Sequence, residues 1–264
     1  MVWIRHRGLN RNDVFVASYP RSGSTWLRFM LFEILTQKDA EFDDVNRYIP
    51  DAGGQRHAVA LLPNQGRLIK THEPFRPDYR RAIYIFRDGR DVALSEYGYQ
   101  KAQGWIDRSF DDYLKMFVKG NASYYGSWQE HVRSWIESPL NARGDLMLVS
   151  YRELKQKSET TLTRIAEFLK VRVPAQVIQN AIRNNNLQNM RKKEDRAPQI
   201  GYDPRTKSIP EEKRFVRSGT VDGWRERLTP AQAEFLQRNT GNMLVRLRFE
   251  EDPSAVPAST ASAD

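Results

Sequence analysis

The chain contains 264 residues, with 42 Lys and Arg against 33 Asp and Glu, a formal net charge of +9 and no cysteine. The missing cysteines exclude disulfides, thiolate chemistry, Cys-ligated zinc and iron–sulfur clusters. The four histidines are scattered without an i, i+4 pair, so no metal site is expected, and the basic surplus favours an anionic partner without identifying it.

The chain lacks two sequence signals of membrane targeting. No apolar run reaches the roughly 18 to 20 residues that a membrane span requires. The first eight residues, MVWIRHRG, have no apolar stretch of the length found in a secretory signal. We therefore expect a cytoplasmic protein without a membrane span.

Apolar runs that predict strands alternate along the chain with patterns that predict helices. The run at 13–18 leads through a Pro/Gly/Ser turn into residues 25–35, which are apolar on nearly every face and predict a buried helix. Further strands are predicted at 67–70, 82–86 and 146–149. Further helices are predicted at 91–100 (with Asp88 as its N-cap), 109–119, 122–137, 154–169, 174–185 and 229–240.

This alternation predicts the fold class and the domain organisation. Continuous apolar strands separated by helices are typical of a parallel sheet covered on both faces. We therefore expect an α/β fold with a central, mainly parallel sheet and helices on both faces. Without an internal repeat or a linker, residues 1–252 are expected to form a single domain, whereas the Ser/Ala/Pro-rich residues 253–264 are predicted to be a disordered tail.

The loop at 18–25, between the first strand and the buried helix, has the composition of an anion-binding site. A helix N-terminus presents unpaired N–H groups and a partial positive charge. Gly23 allows a close backbone approach, Ser22, Ser24 and Thr25 add hydroxyl donors, and Arg21 adds a forked cation. The loop lacks GxxxxGK[ST], which weakens an ATP or GTP interpretation. An ordinary strand-to-helix turn capped by serines is the alternative.

Four polar residues follow two other predicted strands. Lys70 and His72 follow the strand at 67–70, and Arg87 and Ser95 follow the strand at 82–86. Ligands of open α/β sheets bind at the carboxyl ends of the strands. The four residues are therefore expected on the side of the sheet where the anion loop lies, although each alone could be an ordinary surface residue.

Four motifs, in order along the chain, resemble those of the sulfotransferase family that uses 3′-phosphoadenosine 5′-phosphosulfate (PAPS), over about residues 13 to 235. YPRSGSTW at 19–26 is similar to the family's 5′-phosphosulfate loop YPKSGTTW, with Arg21 in place of Lys. KTHEP at 70–74 resembles KTHLP, which carries the catalytic histidine, and IYIFRDGRDVALSEY at 83–97 resembles the 3′-phosphate motif. FVRSG at 215–219, followed by Gly223-Trp224, is similar to FMRKG…W, with Ser218 in place of Lys.

The resemblance implies a fold, a reaction and a set of site residues. It implies a P-loop-like strand–loop–helix and metal-independent sulfuryl transfer from PAPS, by in-line displacement, to a hydroxyl of a small molecule. His72 would be the general base, with Glu73 as the alternative, and Lys70 and Arg21 would stabilise the developing charge. The residues that would bind PAPS are Arg21, Ser22, Gly23, Ser24, Thr25, Trp26, Arg87, Ser95, Tyr151, Arg217, Ser218 and Gly219.

The segment at 225–234 has two interpretations. It resembles the family's dimer signature KxxxTVxxxE, with Arg225 for Lys and Pro230 for Val, which implies a possible homodimer. Initiation of a helix at Thr229-Pro230 accounts for the segment equally well.

Two other functions and the identity of the acceptor remain open. A P-loop kinase for a small molecule would also have an anion loop and an Asp after a strand, here Asp88. A nucleic-acid-binding module would use the net charge and the basic segment at 183–217, which could also be a solvated loop, but no RNP, zinc-finger or helix-turn-helix motif is found, so no nucleic-acid partner is expected. Aromatic residues that could line an acceptor pocket, or belong to the core, are Phe75, Tyr97, Tyr99, Trp105, Tyr124, Tyr125 and Trp128.

Overall fold

The centre of the molecule is a four-stranded parallel sheet. A computed structural model describes residues 5–197 and 209–250, so the predicted tail at 253–264 lies outside the described residues. The strands are β1 (Val14–Ala17), β2 (Leu68–Thr71), β3 (Ala82–Phe86) and β4 (Leu146–Ser150), in the order β2-β1-β3-β4. All neighbouring pairs are parallel, which confirms the predicted α/β fold and its four strands.

Both faces of the sheet are covered, which explains why β1 and β3 are apolar without interruption. Side chains alternate between faces along a strand, and alternate residues of β1 accordingly belong to two separate cores. Val14 and Val16 pack in one core, and Phe15 and Ala17 pack in the other.

Helices of different parts of the chain cover the two faces, as predicted. The helices are α1 (Ser24–Thr36), α2 (Phe42–Tyr48), α3 (Gly89–Ala102), α4 (Phe110–Lys119), α5 (Trp128–Ile136), α6 (Pro139–Ala142), α7 (Tyr151–Gln156), α8 (Ser158–Phe168), α9 (Ala175–Asn184), α10 (Leu187–Arg196), α11 (Trp224–Arg227) and α12 (Pro230–Arg246), with 3-10 turns at Gln55–His57 and Glu211–Lys213. Helices α1, α2 and α7 to α10 pack on one face, and α3 to α6 and α12 pack on the other. No helix of the described ranges is both long and apolar enough to cross a membrane.

Three predicted helices differ from those in the structure, and the one predicted at 229–240 continues to Arg246. The helix predicted at 154–169 is two helices, α7 and α8, because Lys157 between them leaves the helical region with φ −132° and ψ 46°. The helix predicted at 122–137 begins only at Trp128, where the Ser127 hydroxyl accepts a hydrogen bond from the backbone N–H of Glu130.

Four helices were not predicted, and α10 shows why. The short helices α2, α6 and α11 have four to seven residues. In α10 the buried residues are Met190, Lys193 and Glu194, so a mostly polar buried face hides the apolar periodicity that predicts a helix. The basic segment at 183–217 is therefore not simply a solvated loop, although its residues 198–208 lie outside the described ranges.

The start of α12 supports the second interpretation of the 225–234 segment. The Thr229 hydroxyl accepts from the backbone N–H of Gln232, whose side chain accepts from the backbone N–H of Thr229 in return. This capping box, with Pro230 at the first helical position, accounts for the sequence locally. The homodimer stays a prediction.

Asp88 caps α3, as predicted, and also forms a buried ion pair. Its carboxylate accepts from the backbone N–H of Arg90 at 2.9 Å and pairs with the Arg90 guanidinium at 2.6 Å. Arg90 also pairs with Glu250. The pair fixes the chain directly after Arg87.

We predict that Asp88→Asn lowers the free energy of unfolding by about 3 kcal/mol, because it leaves the buried Arg90 charge with Glu250 as its remaining partner. Asn is as good an N-cap as Asp, so the loss isolates the ion pair from the cap. Chemical denaturation measures it, and Asp112→Asn, which removes the exposed pair with Lys115, should cost far less because solvent screens exposed charges. A change in Asp88→Asn as small as in this control would contradict the prediction.

Candidate active site

A cavity of about 420 Å³ lies at the carboxyl ends of the strands. It collects thirteen of the fourteen predicted site residues, namely Arg21, Gly23, Ser24, Thr25, Trp26, Lys70, His72, Arg87, Ser95, Tyr151, Arg217, Ser218 and Gly219. The remaining one, Ser22, does not line the cavity. It is 1% exposed, and its hydroxyl has no hydrogen-bond partner among the described residues.

Gly23 is required at the turn into α1 for two reasons. Its φ of +101° lies in the left-handed region that glycine tolerates. A Cβ atom at this position would also lie 2.5 Å from Cδ2 of Tyr151, which is closer than real Cβ contacts. The missing side chain therefore lets the ring at the start of α7 pack against the loop.

The ring of His72 is oriented by a backbone carbonyl. Its Nδ1 lies 2.8 Å from the carbonyl oxygen of Ser18. Because a carbonyl can only accept, Nδ1 carries the hydrogen, and the lone pair of the neutral ring is on Nε2. Burial and the nearby Lys70 ammonium lower the pKa of His72 to about 3. The ring is therefore neutral near pH 7 and can accept a proton at Nε2.

Lys70 is held beside His72 by an acidic partner that the sequence did not indicate. Its ammonium lies 2.9 Å from Oδ1 of Asp51. Burial lowers the pKa of Lys70, and the Asp51 carboxylate opposes this effect. The charges of Lys70 and Arg28 in turn outweigh burial and lower the pKa of Asp51.

Glu73, the alternative base, is directed elsewhere. Its carboxylate pairs with Arg5 at 3.1 Å, and its backbone carbonyl accepts from the Trp135 indole at 3.2 Å. Glu73 does not line the cavity. The geometry favours His72 as the proton acceptor.

Arg21 and Arg87 hold the backbone of the segment at 215–220 over the cavity. The Arg21 guanidinium donates to the hydroxyl of Ser95 at 3.3 Å and to the carbonyl of Phe215 at 3.0 Å. It lies between the rings of Tyr99 and Phe215, 4.8 and 4.7 Å from their centroids. Arg87 donates to the carbonyl of Thr220 at 2.7 Å. These contacts gather cations and Ser95 at one end of the cavity.

Arg217 completes this end and depends on a glycine of α3. A Cβ atom on Gly98 would overlap the guanidinium of Arg217. Gly98 lies three residues after Ser95, so both face the same side of α3. Nη1 of Arg217 and Nε of Arg87 are buried without a hydrogen-bond partner among the described residues.

The charge of the cavity is positive. Two carboxylates, those of Asp91 and Glu96, are among its lining residues. Against them stand six cationic side chains, those of Arg21, Lys70, Arg87, Lys155, Arg217 and Arg227. Such an excess in a partly enclosed space attracts a multiply charged anion.

Sequence reasoning missed several residues of the site. Asp91 accepts hydrogen bonds from the backbone N–H groups of Asp222 and Trp224 and pairs with Arg87 at 3.6 Å. The i, i+4 spacing from Arg87 was the available signal for Asp91. The others are distant in sequence and gave no local signal; they are Asp51, Gly98, Lys155, Asn185 and Arg227.

The aromatic residues that could have lined an acceptor pocket divide into two groups. Tyr99, Trp105 and Tyr125 line the cavity, and the ring of Tyr125 lies 5.6 Å from that of His72. The others do not line it, since they pack in the core or, for Tyr124, lie exposed; they are Phe75, Tyr97, Tyr124 and Trp128.

Fold and cavity together define an α/β protein with a site for a multiply charged anion beside a neutral histidine. The sequence profile of the sulfotransferase domain matches residues 11–247, so the chain belongs to the sulfotransferase family. Mouse sulfotransferase 1B1 is 28% identical over 243 residues, covering 84% of this chain and 79% of the relative. Human sulfotransferase 2A1 is 27% identical over 236 residues, covering 84% and 80%.

Solved structures share the fold. Retinol dehydratase, crystallised with androsterone and the inactive cofactor PAP, matches with a TM-score of 0.70 at 20% identity over 96% of this chain and 85% of that one. A mouse sulfotransferase complexed with PAP gives a TM-score of 0.66 at 22% identity over 94% and 92%. These matches confirm the fold predicted from the sequence.

We predict that Gly98→Ala weakens binding of adenosine 3′,5′-bisphosphate at least about tenfold, because the added methyl group displaces the Arg217 guanidinium from the cavity. Alanine is favoured over glycine in a helix by up to about 1 kcal/mol, so stability should not fall comparably. Calorimetric titration and thermal unfolding measure the two effects. Gly241→Ala, in α12 and away from the cavity, is the matched control; unchanged affinity in Gly98→Ala would contradict the prediction.

Proposed function

We propose that the protein transfers the sulfuryl group of PAPS to a hydroxyl of a small-molecule acceptor. One observation carries the proposal: the Ser18 carbonyl fixes the lone pair of His72 on Nε2, in the cavity that also holds Lys70, the Gly23 loop and the Arg87–Arg217 cluster. A proton acceptor and sites for two anionic groups are what sulfuryl transfer from a 3′-phosphorylated nucleotide requires.

The residues fit PAPS along the length of the cavity. We assign the N-terminus of α1 at 22–25 to the 5′-phosphosulfate, since backbone N–H groups at a helix start bind such anions. We assign Arg87, Ser95 and Arg217 to the 3′-phosphate. The positions of Arg87, Ser95 and Arg217 in the cavity lining support this assignment, as do the exposed Ser218 and the Gly219 backbone beside them.

Trp26 and Tyr151 are proposed to contact the adenine. Their rings line the cavity at 6.1 Å from each other in an edge-to-face arrangement. The indole N–H of Trp26 is satisfied by the carbonyl of Asn185 at 2.7 Å. The ring is thus held in place where it lines the cavity, with the Lys155 ammonium 5.3 Å from its centroid.

In the proposed reaction His72 accepts the proton of the acceptor hydroxyl at Nε2 while the hydroxyl oxygen attacks sulfur. The new S–O bond forms in line with the bond to the 5′-phosphate oxygen, which breaks and retains the electron pair. Lys70 and Arg21 stabilise the charge on the sulfuryl and leaving oxygens. The residues of the chain thus supply positioning, proton transfer and charge stabilisation.

The bound nucleotide should make His72 a better base. Burial and the Lys70 charge lower the pKa of His72 in the free protein. An anion beside Lys70 offsets the second cause and therefore raises the pKa of His72 towards the working pH, where general bases are most effective.

The acceptor is proposed to bind beside Tyr125, on the His72 side of the cavity, and to extend towards Trp105, which packs on Tyr99. Trp105 is 64% exposed and would contact an apolar or aromatic acceptor at the mouth. Retinol dehydratase has been crystallised with retinol and with androsterone, which supports hydroxyl compounds of this size. Mass spectrometry with PAPS and a panel of phenols, steroid alcohols, sugars and lipid alcohols identifies the acceptor class.

We also propose a cellular location and an oligomeric state for the protein. A curated relative from Arabidopsis thaliana, 24% identical over 270 residues, is named cytosolic sulfotransferase 13, and we propose a cytoplasmic location on that basis. A homodimer is proposed from the 225–234 segment alone.

The kinase alternative would need Asp88 as an acidic ligand for magnesium. Asp88 is committed to the N-terminus of α3 and to the buried Arg90, so it is unsuited to hold a magnesium ion. A transfer reaction that required Mg²⁺ and ATP would revive this alternative.

We predict that His72→Ala lowers kcat by about 10²- to 10⁴-fold, the usual contribution of a general base. Binding of adenosine 3′,5′-bisphosphate should change by less than about threefold, because His72 is assigned to the acceptor. Turnover assays with PAPS and calorimetric titration measure the two effects, with the exposed His57→Ala as control. Wild-type kcat in His72→Ala would exclude His72 as the base.

We predict that kcat/KM for PAPS shows no loss of activity around pH 6.5 on acidification. This ratio reports the free enzyme, in which the pKa of His72 is about 3, so the ring stays neutral down to well below pH 6.5. In kcat the acid limb should lie at higher pH than in kcat/KM, because the bound nucleotide raises the pKa of His72. Coincident limbs in the two profiles would contradict the electrostatic argument.

We predict that Arg87→Ala weakens binding of adenosine 3′,5′-bisphosphate at least about tenfold more than binding of 5′-AMP, because Arg87 is assigned to the 3′-phosphate. In the wild type, bisphosphate at 100 times its Kd should stabilise the fold by about 2.7 kcal/mol. Thermal unfolding with each ligand measures both, with the exposed Arg80→Ala as control. Equal losses for the two nucleotides would remove Arg87 from the 3′-phosphate site, and no thermal shift of the wild type would contradict the proposed function.

A further inference from the structure

A buried polar cluster lies between α1 and the start of α10, behind the cavity. It consists of Glu33, Asn185 and Lys193, which we call the Asn185 clamp. Their exposed fractions are 5%, 0% and 3%. The Lys193 ammonium donates to Oε1 of Glu33 at 3.2 Å and to Oδ1 of Asn185 at 2.9 Å. The Asn185 amide donates to Oε1 of Glu33 at 2.8 Å and to the carbonyl of Ala181 at 2.8 Å. Glu33 also accepts from the side-chain amide of Asn184 at 3.1 Å and from the backbone N–H of Ala40 at 3.3 Å.

Helix α1 contacts both the backbone and the side chain of Asn185. The indole N–H of Trp26 donates to the backbone carbonyl of Asn185 at 2.7 Å, while Glu33 accepts from its side chain. Trp26 and Glu33 are seven residues apart on α1, which is close to two turns, so they lie on the same face. The clamp therefore fixes the distance and rotation between α1 and the chain at Asn185.

The chain that follows Asn185 forms a wall of the cavity. Leu187 and Met190 line it together with Trp26. The phosphate loop at 22–25 is the N-terminal end of the same α1 that carries Trp26 and Glu33. A shift of α10 against α1 would move this wall without disturbing the loop.

The proposed mechanism assigns no role to the clamp. Burying the charges of Glu33 and Lys193 costs free energy, which a purely structural contact would not require. A buried Lys–Glu pair is on average no more stabilising than apolar side chains of similar volume. A specific hydrogen-bonded geometry is what such a pair can supply and apolar packing cannot.

We propose that Glu33 and Lys193 are positioning residues that hold Asn185, and through its carbonyl the Trp26 indole, so that the wall for the nucleotide base is preformed. The inference rests on the proposed function in taking Trp26 as the base-binding ring. The clamp is therefore expected to contribute to the affinity for the base of the nucleotide and not to the affinity for its phosphates.

Two double variants distinguish the effect of positioning from the effect of burying charge. Both lack the buried charges of Glu33 and Lys193. Glu33→Gln with Lys193→Met keeps an acceptor for the Asn185 amide. Glu33→Leu with Lys193→Met removes it and has a similar volume. We expect the Gln variant to bind adenosine 3′,5′-bisphosphate within about threefold of the wild type, and the Leu variant to bind it about tenfold more weakly, because residue 33 no longer accepts from the Asn185 amide. Asn185→Ala, which leaves the contacts of Glu33 with Asn184 and Ala40 in place, is expected to match the Leu variant. KM for PAPS should rise with little change in kcat.

Two further readouts report the geometry directly. Inorganic pyrophosphate, which has no base, should bind both variants like the wild type. The indole N–H resonance of Trp26, identified by its loss in Trp26→Phe, should shift in the Leu variant and not in the Gln variant. If the Leu variant does not fold, Asn185→Ala takes its place with the same expectations, since it keeps the backbone carbonyl and loses the side chain that Glu33 holds.

Equal bisphosphate affinity in the Gln and Leu variants would overturn the inference, as would a parallel loss of pyrophosphate binding. A wild type that fails to bind the bisphosphate would instead contradict the proposed function. In that case the Trp26 resonance still tests the clamp, because an unshifted signal in the Leu variant overturns it and a shifted signal supports it.

Discussion

The contact between Gly23 and Tyr151 is the constraint on which the site depends. The Tyr151 ring fills the space that any side chain at 23 would need, so the loop after β1 and the helix after β4 meet although more than a hundred residues separate them. The Tyr151 hydroxyl continues the connection by donating to the carbonyl of Gly219 at 3.0 Å. Three distant parts of the chain thus enclose one cavity because one position carries no side chain.

Electrostatic imbalance is the second organising feature of the cavity. Like charges gathered in a partly buried space repel each other, and burial lowers the pKa values of Arg21 and Lys70. The fold tolerates this because aromatic rings, backbone carbonyls and a few acids share the charge: Tyr99 and Phe215 enclose Arg21, and Asp51 pairs with Lys70. A bound polyanion would reduce the remaining repulsion between the cationic side chains. The free energy of that repulsion would then contribute to the affinity for the polyanion.

The sequence predicted the sheet and the meeting of several polar residues at one edge of it because both are encoded locally. Apolar runs identify β1 to β4, and since parallel strands end at one edge, Lys70, His72 and Arg87 could be expected together. The residues that were missed act through space. Asp51 reaches Lys70 from the turn after α2, and Gly98 matters only because Arg217, far along the chain, folds over it. Helix α10 was not predicted because two charged residues, Lys193 and Glu194, form most of its buried face.

The segment at 215–220 is fastened over the cavity through its main chain. Arg21, Arg87 and Tyr151 donate to the carbonyls of Phe215, Thr220 and Gly219, and every amino acid presents that carbonyl. The fastening itself therefore makes few demands on residue identity, and side chains matter in this stretch only where Arg217, the Phe215 ring and Gly219 have roles of their own. Thr220 is exposed and contacts Arg87 through its carbonyl alone, so its side chain is the place in this stretch where sequence diversity is introduced most easily when the protein is redesigned.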